Sequence, residues 1–557
     1  MEEEREGLLE LKDMARRQGE QIHLLSQWVE LLQRPQAGSP GSPRVCWRCR
    51  QPGHLARNCD GQRVPAPPQP SPAAQPGRNG RPSPRRPTGG PPSPGLSSGR
   101  ASGALPGPRD MSMPSVRDSP CAPGGAYLPD LMVENLPEEL DLQPVAQGAL
   151  PLAEGLHSLL DMARGSVEIV SPYWTLSSIE QQADHYSPNE GQRVFDRLLG
   201  LKSRGVKLKV TNTLLDSAEL TTLAAHNAQI HYVNMTAFTK GHLHSSFWVV
   251  DRKHIYIGSA GMDWRSLAKM KELGVLLYNC SCLALDLHRI FSFYWQLHDK
   301  DYIPSIWSKR VTALYSQGEP REVELNGTHA SAYMSTSPGL FCAKDRTRDV
   351  EAIQAVIQEA QTFIYISVTD YLPLVNRSSQ DQHVTRYWSV IDEALREALV
   401  LRQVTVRLLV SLWERTHPYT FNFLTSLSSL CMQLMDCNLE VKFFSTDEAL
   451  RSRRNSKALN HNKYMVTDNA LYIGNLDWVG NEFTFNAGTG LVIQPSAEHP
   501  DDRPAILDQM KSAFERDWFS WYARSLQDVM ARTGSTLKNP AFSLVKRGTS
   551  GRDRGAK

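Results

Sequence analysis

The chain has 557 residues, enough for more than one domain, and carries 61 Lys and Arg against 59 Asp and Glu. This near-neutral balance does not by itself indicate a nucleic-acid-binding protein. No run of about 18 apolar residues occurs, and Met1 is followed by Glu-Glu-Glu-Arg. The sequence therefore predicts neither a transmembrane segment nor a signal peptide, and a protein made in the cytosol is expected.

Residues 1–34 are predicted to form an amphipathic coiled-coil helix that ends before Pro35. Positions of the apolar seam recur at alternating spacings of three and four, with one polar residue among them. These positions are Leu8, Leu11, Ala15, Gln18, Ile22, Leu25, Val29 and Leu32. The pattern predicts self-association through residues 8–32, and packing of the helix on its own chain is the alternative.

The segment 44–61 contains three cysteines and one histidine at the spacing C-x2-C-x4-H-x4-C. Three thiolates and one imidazole can surround a single tetrahedral zinc ion, and so short a segment depends on the metal to fold. The predicted zinc ligands are Cys46, Cys49, His54 and Cys59.

This spacing, with a glycine before the histidine and an aromatic residue between the first two cysteines, resembles the CCHC zinc knuckle of retroviral nucleocapsids. The resemblance implies single-stranded RNA or DNA as the ligand. Trp47 would offer a stacking surface, and Arg48, Arg50 and Arg57 would contact phosphates. The alternative is a knuckle that binds zinc and holds only a protein partner.

Residues 62–124 are rich in Pro, Gly, Ser and Arg and poor in bulky apolar side chains. Such a segment cannot bury enough surface to offset its chain entropy, so a disordered basic linker is predicted. Its arginines could support the knuckle through salt-sensitive phosphate contacts, or the segment could be only a solvated tether. A disordered tail is predicted for residues 531–557.

From about residue 125 the composition is typical of a globular protein, and residues 125–325 and 326–530 repeat one another. Residues 167–174 correspond to 363–371, for example. Short apolar strands alternate with helical segments in both halves, which predicts a mixed α/β sheet covered on both faces.

Each half carries one copy of a short motif. In the second half His461, Lys463 and Asp468 form H-x-K-x4-D, and a His and a Lys two residues apart on a strand share one face. That pair suits a phosphodiester, because the lysine binds anionic oxygens and the histidine can attack phosphorus or protonate the leaving oxygen. In the first half the frame of the motif is kept, but Ser246 stands in place of the lysine.

The motif and the duplicated pattern resemble the phospholipase D superfamily over residues 125–530. The resemblance implies a duplicated mixed-sheet sandwich with helices on both faces and one active site between the halves. Within the superfamily, six further segments resemble the animal lysosomal exonucleases for single-stranded nucleic acid, whose relatives include an inactive member. These segments are 171–176, 247–251, 262–267, 271–275, 278–282 and 460–467.

By this resemblance, the site takes a His, a Lys, an Asn and a Glu from each half, and four of the eight positions have changed. The retained candidate catalytic residues, with the aspartates of the two motifs, are His244, Glu272, His461, Lys463, Asp251 and Asp468. The changed positions are Ser246 for Lys, Gly261 for Asn, Asp477 for Asn and Phe485 for Glu.

These changes predict that phosphodiester hydrolysis is weakened or lost. Ser246 removes one of two lysine charges, and the loss of one electrostatic donor costs ~10²–10³ in rate. An ionised Asp477 would repel the phosphate. Phe485 is expected to leave His461 without the acceptor that fixes its tautomer and ring angle.

The predicted function is a pseudoenzyme that binds nucleic acid or phosphate-bearing ligands through its zinc knuckle and its residual pocket. Zinc is the expected cofactor of the knuckle, and none is expected for the phospholipase D-like domain. The alternative is an active phosphodiesterase, a single-strand exonuclease or a phospholipase D, that uses His244 and His461, with His242 or Lys240 replacing the missing cation. A third alternative is a scaffold that binds only protein.

Six cysteines lie outside the knuckle, and four N-x-S/T sequons occur, at Asn234, Asn279, Asn326 and Asn376. A thiolate zinc site favours a reducing compartment, in which those cysteines would remain thiols and the sequons would stay bare. Cytoplasm or nucleus is therefore predicted. The alternative is the endolysosomal lumen, as in the similar exonucleases.

Overall fold

The computed structural model describes residues 131–534 except 146–148, 178–188, 214–216, 299, 301, 304–309, 380–381, 433–435, 447–457 and 500–501. The predicted coiled coil, zinc knuckle and linker, and the tail from residue 535, lie outside the described residues.

The first half forms one main sheet, whose central strands are apolar and buried. In chain order its strands, with the short pair β4 and β9, are β1 Leu131–Asn135, β2 Leu150–Pro151, β3 Ser166–Val170, β4 Trp174–Thr175, β5 Lys207–Asn212, β6 Gln229–Tyr232, β7 Phe247–Val250, β8 His254–Gly258, β9 Met262–Asp263 and β10 Met270–Leu277. Its helices are α1 Leu152–Met162, α2 Glu190–Gly200, α3 Ala218–Ala225, α4 Met235–Phe238, α5 Trp264–Ala268 and α6 Ser281–Trp295.

The second half repeats this plan and adds a hairpin. Its strands are β11 Arg321–Leu325, β12 Thr328–Ser337, β13 Thr347–Arg348, β14 Phe363–Val368, β15 Tyr371–Leu372, β16 Leu374–Ser379, β17 Gln382–Tyr387, β18 Thr405–Ser411, β19 Leu439–Phe444, β20 Leu459–Asn460, β21 Tyr464–Thr467, β22 Leu471–Ile473, β23 Trp478–Val479, β24 Gly488–Pro495 and β25 Ala523–Ser525. Its helices are α7 Asp349–Glu359, α8 Val390–Leu401, α9 Pro418–Ser429, α10 Gly480–Phe485, α11 Ala505–Phe519 and α12 Leu526–Gly534.

The strand orders confirm the predicted duplication. The first sheet runs β2-β1-β10-β8-β7-β3-β5-β6 and the second β11-β12-β24-β22-β21-β14-β18-β19-β25. In both, a motif strand, β7 or β21, pairs antiparallel with the corresponding strand of its half, β3 or β14. The register is equivalent, since Ile169 faces Trp248 and Ile366 faces Met465. Both motif strands are buried along their full length, as expected for strands covered on both faces.

The two halves share one hydrophobic core. Phe291 of α6, Tyr333 of β12, Ile366 of β14 and Trp478 of β23 belong to the same buried cluster. The short strand β20 pairs in parallel with β10 of the first sheet, with Lys271 opposite Asn460. The halves therefore form one folded body, in which a strand of each half contributes to the space between them.

A buried group of charges joins the first half to α11. Lys271 Nζ lies 2.5 Å from Asp517 Oδ2, and both side chains are fully buried. Arg516 donates to Asp517 at 2.9 Å and to both carboxylate oxygens of Glu134 at 2.8 and 2.9 Å. Burial lowers the pKa of Lys271, and the carboxylate of Asp517 opposes that shift. The contacts hold β1, β10 and α11 together.

The cysteines correct one expectation. Cys431 and Cys437 form a disulfide, with Cα atoms 4.9 Å apart, and Cys282 is also disulfide-bonded. The expectation that the cysteines outside the knuckle remain thiols was therefore wrong for these three. Among the helices of the described part, none has the length and hydropathy needed to cross a bilayer.

Replacing Lys271 by Met should destabilise the folded domain by about 3–5 kcal/mol, because the buried carboxylate of Asp517 loses one of its two cationic partners and keeps only Arg516. Denaturant unfolding would measure this. A second replacement, Asp517→Asn, should recover part of the loss. The matched control is Lys344→Met, since the Lys344 side chain is 74% exposed beside Asp345 and its removal should cost about 0–1 kcal/mol. Equal losses for Lys271→Met and Lys344→Met would contradict the stabilising role of the buried pair.

Candidate active site

Both histidine motifs cross to the sheet of the opposite half. His461 directly follows β20, and its backbone N–H donates to the Lys271 carbonyl at 2.8 Å. Leu243 forms an isolated bridge with Ala487, whose carbonyl accepts from the His244 N–H at 2.8 Å. The two histidines are thereby brought to one site between the halves, as the resemblance implied.

Each histidine is oriented by a glutamate of the other half. His461 Nδ1 lies 3.0 Å from both carboxylate oxygens of Glu272, and His244 Nδ1 lies 2.7 Å from Glu482 Oε2. Ser259 and Ser266 also donate to the fully buried Glu272, at 2.5 and 2.8 Å. A carboxylate that accepts from Nδ1–H leaves Nε2 as the nitrogen for substrate chemistry. Both imidazoles are therefore held in a defined tautomer and orientation.

The expectation about Phe485 was wrong. His461 does not lack an acceptor, because Glu272 of the first half supplies it. The second half does supply a glutamate, Glu482, which precedes Phe485 by three residues, about one turn of α10. The Asn486 side chain donates to Glu482 at 2.8 Å. Sequence reasoning missed Glu482; the available signal was an acidic residue on the helix face that Phe485 shares.

The pairing of His244 with Glu482 favours the charged form of both groups. Burial lowers the pKa of His244, but the hydrogen bond and charge of Glu482, with the charge of Asp477, raise it above its ordinary value. Burial raises the pKa of Glu482, but the hydrogen bond and charge of His244 outweigh this effect, so the pKa lies below its ordinary value. An imidazolium at this position is suited to donate a proton to a leaving oxygen.

The retained lysine of the site is already engaged by the protein. Lys463 is buried, and its Nζ donates to Thr369 Oγ1 at 3.1 Å and to the His461 carbonyl at 3.3 Å. Its Nζ also lies 3.7 Å from Asp477 Oδ2. The Asp477 carboxylate therefore offsets the ammonium charge that would bind a phosphate.

A second carboxylate, Asp370, lies beside Asp477. The Asp370 N–H donates to Asp477 Oδ1 at 3.1 Å, and Trp413 Nε1 donates to Asp370 Oδ1 at 3.2 Å. Burial and the charge of Asp477 raise the pKa of Asp370 to about 7, against the hydrogen bond of Trp413 and the charge of Lys463. Near neutral pH the Asp370 carboxyl is therefore only partly ionised, and it adds only part of a negative charge beside Asp477.

The two changed positions of the first half are accommodated without strain. Ser246 is buried, and its hydroxyl donates to the Ala260 carbonyl. A Cβ added to Gly261 would lie 3.4 Å from the Tyr173 ring and 3.6 Å from Ser171 Oγ, both ordinary contacts. A methyl group would thus fit at Gly261, next to the half-exposed Tyr173.

The structure does not bring the two motif aspartates to the histidines. Asp251 accepts hydrogen bonds of 2.7 Å from the backbone N–H groups of residues 164, 165 and 166. Asp468 accepts bonds of 3.1–3.3 Å from those of residues 361, 362 and 363. Each follows its motif strand and fixes the turn before the neighbouring strand, so their assignment as catalytic is corrected to a structural role.

His242 lies beside His244, as the shared face predicted. The two rings are nearly parallel, at 15° with centroids 6.1 Å apart, and His242 is exposed. Lys240 is exposed and has a left-handed backbone, with φ of 62°. A cation at His242 would thus stand next to the catalytic imidazole, but only when His242 is protonated.

Both the folded domain and the cysteine-rich segment are similar to known proteins. A family model described as "PLD3/4, PLD-like domain" matches residues 143–449, and one described as "Zinc knuckle" matches residues 44–60. The Mus musculus protein "Inactive phospholipase D5" is 47% identical over 432 residues, covering 76% of this chain and 78% of its own length. The Bos taurus protein "5'-3' exonuclease PLD3" is 39% identical over 434 residues, covering 76% of this chain and 86% of its own length. The predicted fold, family resemblance and knuckle are confirmed.

The raised pKa values predict a domain that is more stable in acid than at neutral pH. A carboxyl group whose pKa rises on folding binds its proton more tightly when folded, so it stabilises below its ordinary pKa and loses that contribution as pH rises through the folded value. Asp370 loses its contribution to stability as pH rises through about 7. Burial raises the pKa of Asp349 to about 6, so Asp349 likewise stabilises the domain in acid. His244 adds stability in acid that is lost as pH rises through its raised pKa. Glu482, whose pKa is lowered, contributes stability above its ordinary pKa and loses it only at lower pH, as pH falls through the folded pKa.

The melting temperature should therefore fall by a few degrees between about pH 5.5 and about pH 7.5, and Asp370→Asn should reduce that fall. Differential scanning calorimetry would measure both. Asp345→Asn is the control, because the Asp345 side chain is 63% exposed and its replacement should leave the pH profile unchanged. A profile for Asp370→Asn identical to the unchanged protein would argue against a proton on Asp370.

Proposed function

Because the chain belongs to the phospholipase D superfamily, in the branch described as PLD3/4, PLD-like domain, we propose that its folded domain is a pseudoenzyme and that its zinc knuckle contacts single-stranded nucleic acid. The observation that carries the pseudoenzyme proposal is the contact between Lys463 and Asp477. It places a carboxylate against the cation that should hold the substrate phosphate.

The proposal separates two parts of the catalytic machinery. Proton transfer and nucleophilic attack need the two histidines, and both have a carboxylate partner. Stabilising the charge of a phosphoryl transition state needs cations and neutral donors. Ser246 supplies no cation and Gly261 supplies no neutral donor. Asp477 supplies a negative charge where a neutral donor is needed. The site thus keeps its acid–base geometry and lacks its electrostatic complement to phosphate.

The relatives support both this proposal and its alternative. The mouse relative named inactive phospholipase D5 is 47% identical, which favours a pseudoenzyme. The bovine relative named as a 5'-3' exonuclease is 39% identical. A specific observation also favours an active phosphodiesterase using His244 and His461: both imidazoles remain oriented, and His242 stacks beside one of them.

Hydrolysis of a 5'-labelled single-stranded oligonucleotide and of bis(p-nitrophenyl) phosphate by the full chain tests the pseudoenzyme proposal. No turnover is expected at about pH 5 or about pH 7.5. The variant Ser246→Lys, Gly261→Asn, Asp477→Asn should gain hydrolysis, at least about 10²-fold above background, since it restores the missing donors.

The control is the same triple variant with His461→Ala, which should be inactive. Turnover by the unchanged chain that His461→Ala abolishes would establish the active phosphodiesterase instead. A folded triple variant without activity would contradict the view that electrostatics alone disables the site.

The residues proposed to contact nucleic acid belong to the knuckle, which lies outside the described residues. Three thiols and an imidazole, from Cys46, Cys49, His54 and Cys59, form a donor set suited to a structural zinc ion. When bound, the metal supplies the fold of the segment, while the chain itself supplies the ligand contacts. Trp47 would stack on a base, and Arg48, Arg50 and Arg57 would bind phosphates.

The full chain should bind one zinc ion and a fluorescent single-stranded oligonucleotide, and affinity should fall steeply as salt rises. Trp47→Ala should weaken binding by about 10-fold or more, because base stacking contributes about 1–3 kcal/mol. Fluorescence anisotropy with and without a zinc chelator would measure this. Arg81→Ala, in the linker, is the control and should have a small effect. Binding insensitive to both Trp47→Ala and chelation would assign it to the basic linker, and no binding would favour a protein partner.

We further propose that the folded domain resides in an oxidising compartment, the endolysosomal lumen, rather than in cytoplasm or nucleus. The support is the disulfide between Cys431 and Cys437 together with the disulfide-bonded Cys282, since such bonds persist in oxidising compartments. A domain more stable in acid suits such a lumen. Self-association through residues 8–32 remains a prediction.

A further inference from the structure

We propose that a turn at the end of α11 docks the folded domain on lipid bilayers that contain anionic phospholipid. The turn comprises residues 518–522, which we call the aromatic turn. Its Phe519 and Trp521 are 70% and 71% exposed, more than any other Phe, Trp or Tyr of the described residues. A bilayer interface accommodates such side chains, because aromatic rings lie there at the level of the headgroups. The aromatic turn shares no residue with the candidate active site or with the knuckle.

The two exposed rings stand on a turn that the fold holds in place. The residues on either side of them are buried: Trp518 stacks on Phe514 with ring centroids 5.4 Å apart, and Tyr522 stacks on Phe444 with centroids 5.6 Å apart. Ser520, between the exposed rings, is the C-terminal cap of α11. Because the turn is already ordered, it loses little conformational entropy when it enters an interface.

Two cations lie against the aromatic turn. Lys442 Nζ lies 4.7 Å from the centre of the Trp518 ring and 5.9 Å from that of Phe519, and it donates to the Trp518 carbonyl at 3.0 Å. The guanidinium of Arg407 lies 5.5 and 5.7 Å from the same two ring centres. Arg407 is paired with Glu440 at 2.9 Å, whereas no ion pair among the described residues includes Lys442. Lys442 therefore supplies the charge that can attract an anionic headgroup.

This arrangement of rings and cations fits a bilayer better than a nucleic acid. Both cations lie over the ring of Phe519, so at least one of the faces on which a base would stack is occupied. A strand of nucleic acid also needs a row of cations along its backbone, and Glu440, which is 44% exposed, neutralises one of the two. A bilayer needs only projecting rings and a cation behind them at the level of the headgroups.

The test is cosedimentation of the full chain with vesicles of phosphatidylcholine and phosphatidylserine, and with vesicles of phosphatidylcholine alone. Replacing Phe519 and Trp521 together by Ser should weaken binding to the mixed vesicles by about 10-fold or more, because the apolar rings no longer insert. Lys442→Gln keeps an N–H donor for the Trp518 carbonyl and removes the charge. It should weaken binding to the mixed vesicles by about 3-fold or more and leave binding to phosphatidylcholine unchanged.

Leu401→Ser is the matched control for the rings, because Leu401 is 74% exposed at the end of α8. Lys344→Gln is the control for the charge, since the Lys344 side chain is also 74% exposed. Both should bind vesicles as the unchanged chain does. Equal binding by the test and control variants would assign vesicle binding to another basic part of the chain, such as the arginine-rich linker, and would overturn the proposal.

A second measurement locates the turn in the bilayer and does not depend on the serine variant. Vesicles whose phospholipids carry brominated acyl chains should quench the tryptophan fluorescence of the bound chain. Trp521→Phe keeps an aromatic ring, so vesicle binding should persist while this quenching is reduced. Quenching that is the same in Trp521→Phe and in the unchanged chain would overturn the insertion of the turn.

Two other occupants of the surface are distinguished with the same variants. Sedimentation velocity would reveal a second copy of the chain, and fluorescence anisotropy would reveal an oligonucleotide. A serine double variant that loses self-association or oligonucleotide affinity, from a chain that does not bind vesicles, would overturn the lipid proposal in favour of that occupant.

Discussion

The exchange of glutamates between the halves is the constraint on which the site depends. Glu272 of β10 orients His461, and Glu482 of α10 orients His244, so neither half alone contains an oriented histidine. The same strand that carries Glu272 also accepts the His461 N–H at Lys271, whose ammonium lies against Asp517 of α11. Packing of the halves and orientation of the imidazoles are therefore one structural property.

This coupling explains why the histidines persist where other site residues have changed. The two carboxylates also bind groups of the fold: Ser259 and Ser266 donate to Glu272, and Asn486 donates to Glu482. Losing either glutamate would leave buried donors unsatisfied, which costs free energy whether or not a substrate is turned over. The two glutamates that orient the histidines therefore also contribute to the stability of the fold.

The phosphate-binding positions are under no such constraint. Ser246 finds an acceptor in the Ala260 carbonyl, Gly261 leaves ordinary contacts around it, and Asp477 accepts the Asp370 N–H. Each changed side chain is satisfied within the fold. Different side chains at these positions are therefore compatible with the same architecture at little cost to stability.

Much of the architecture could be predicted from the sequence, because it follows from local pattern. The apolar runs of β7 and β21, the two motifs and the zinc-ligand spacing are all properties of short segments. The role of Glu482 was missed although its position on the helix face of Phe485 was a signal, because the motif alone does not show which turn of α10 faces the other half. The same holds for Asp251 and Asp468, since their partners are backbone groups far away in the chain, and for the disulfide of Cys431, which conflicts with the compartment that the knuckle suggests.

The two parts of the chain carry different charged side chains. Between its zinc ligands and just beside them, the knuckle carries Arg48, Arg50 and Arg57, whereas the pocket places Asp477 and Asp370 next to one lysine. A phosphate that entered the pocket at neutral pH would be repelled by the carboxylate of Asp477. In acid, Asp370 becomes neutral as pH falls below about 7 and His244 is charged, so the repulsion weakens. The pocket of this domain therefore repels phosphate least in acid, which is also the pH range in which the domain is expected to be most stable.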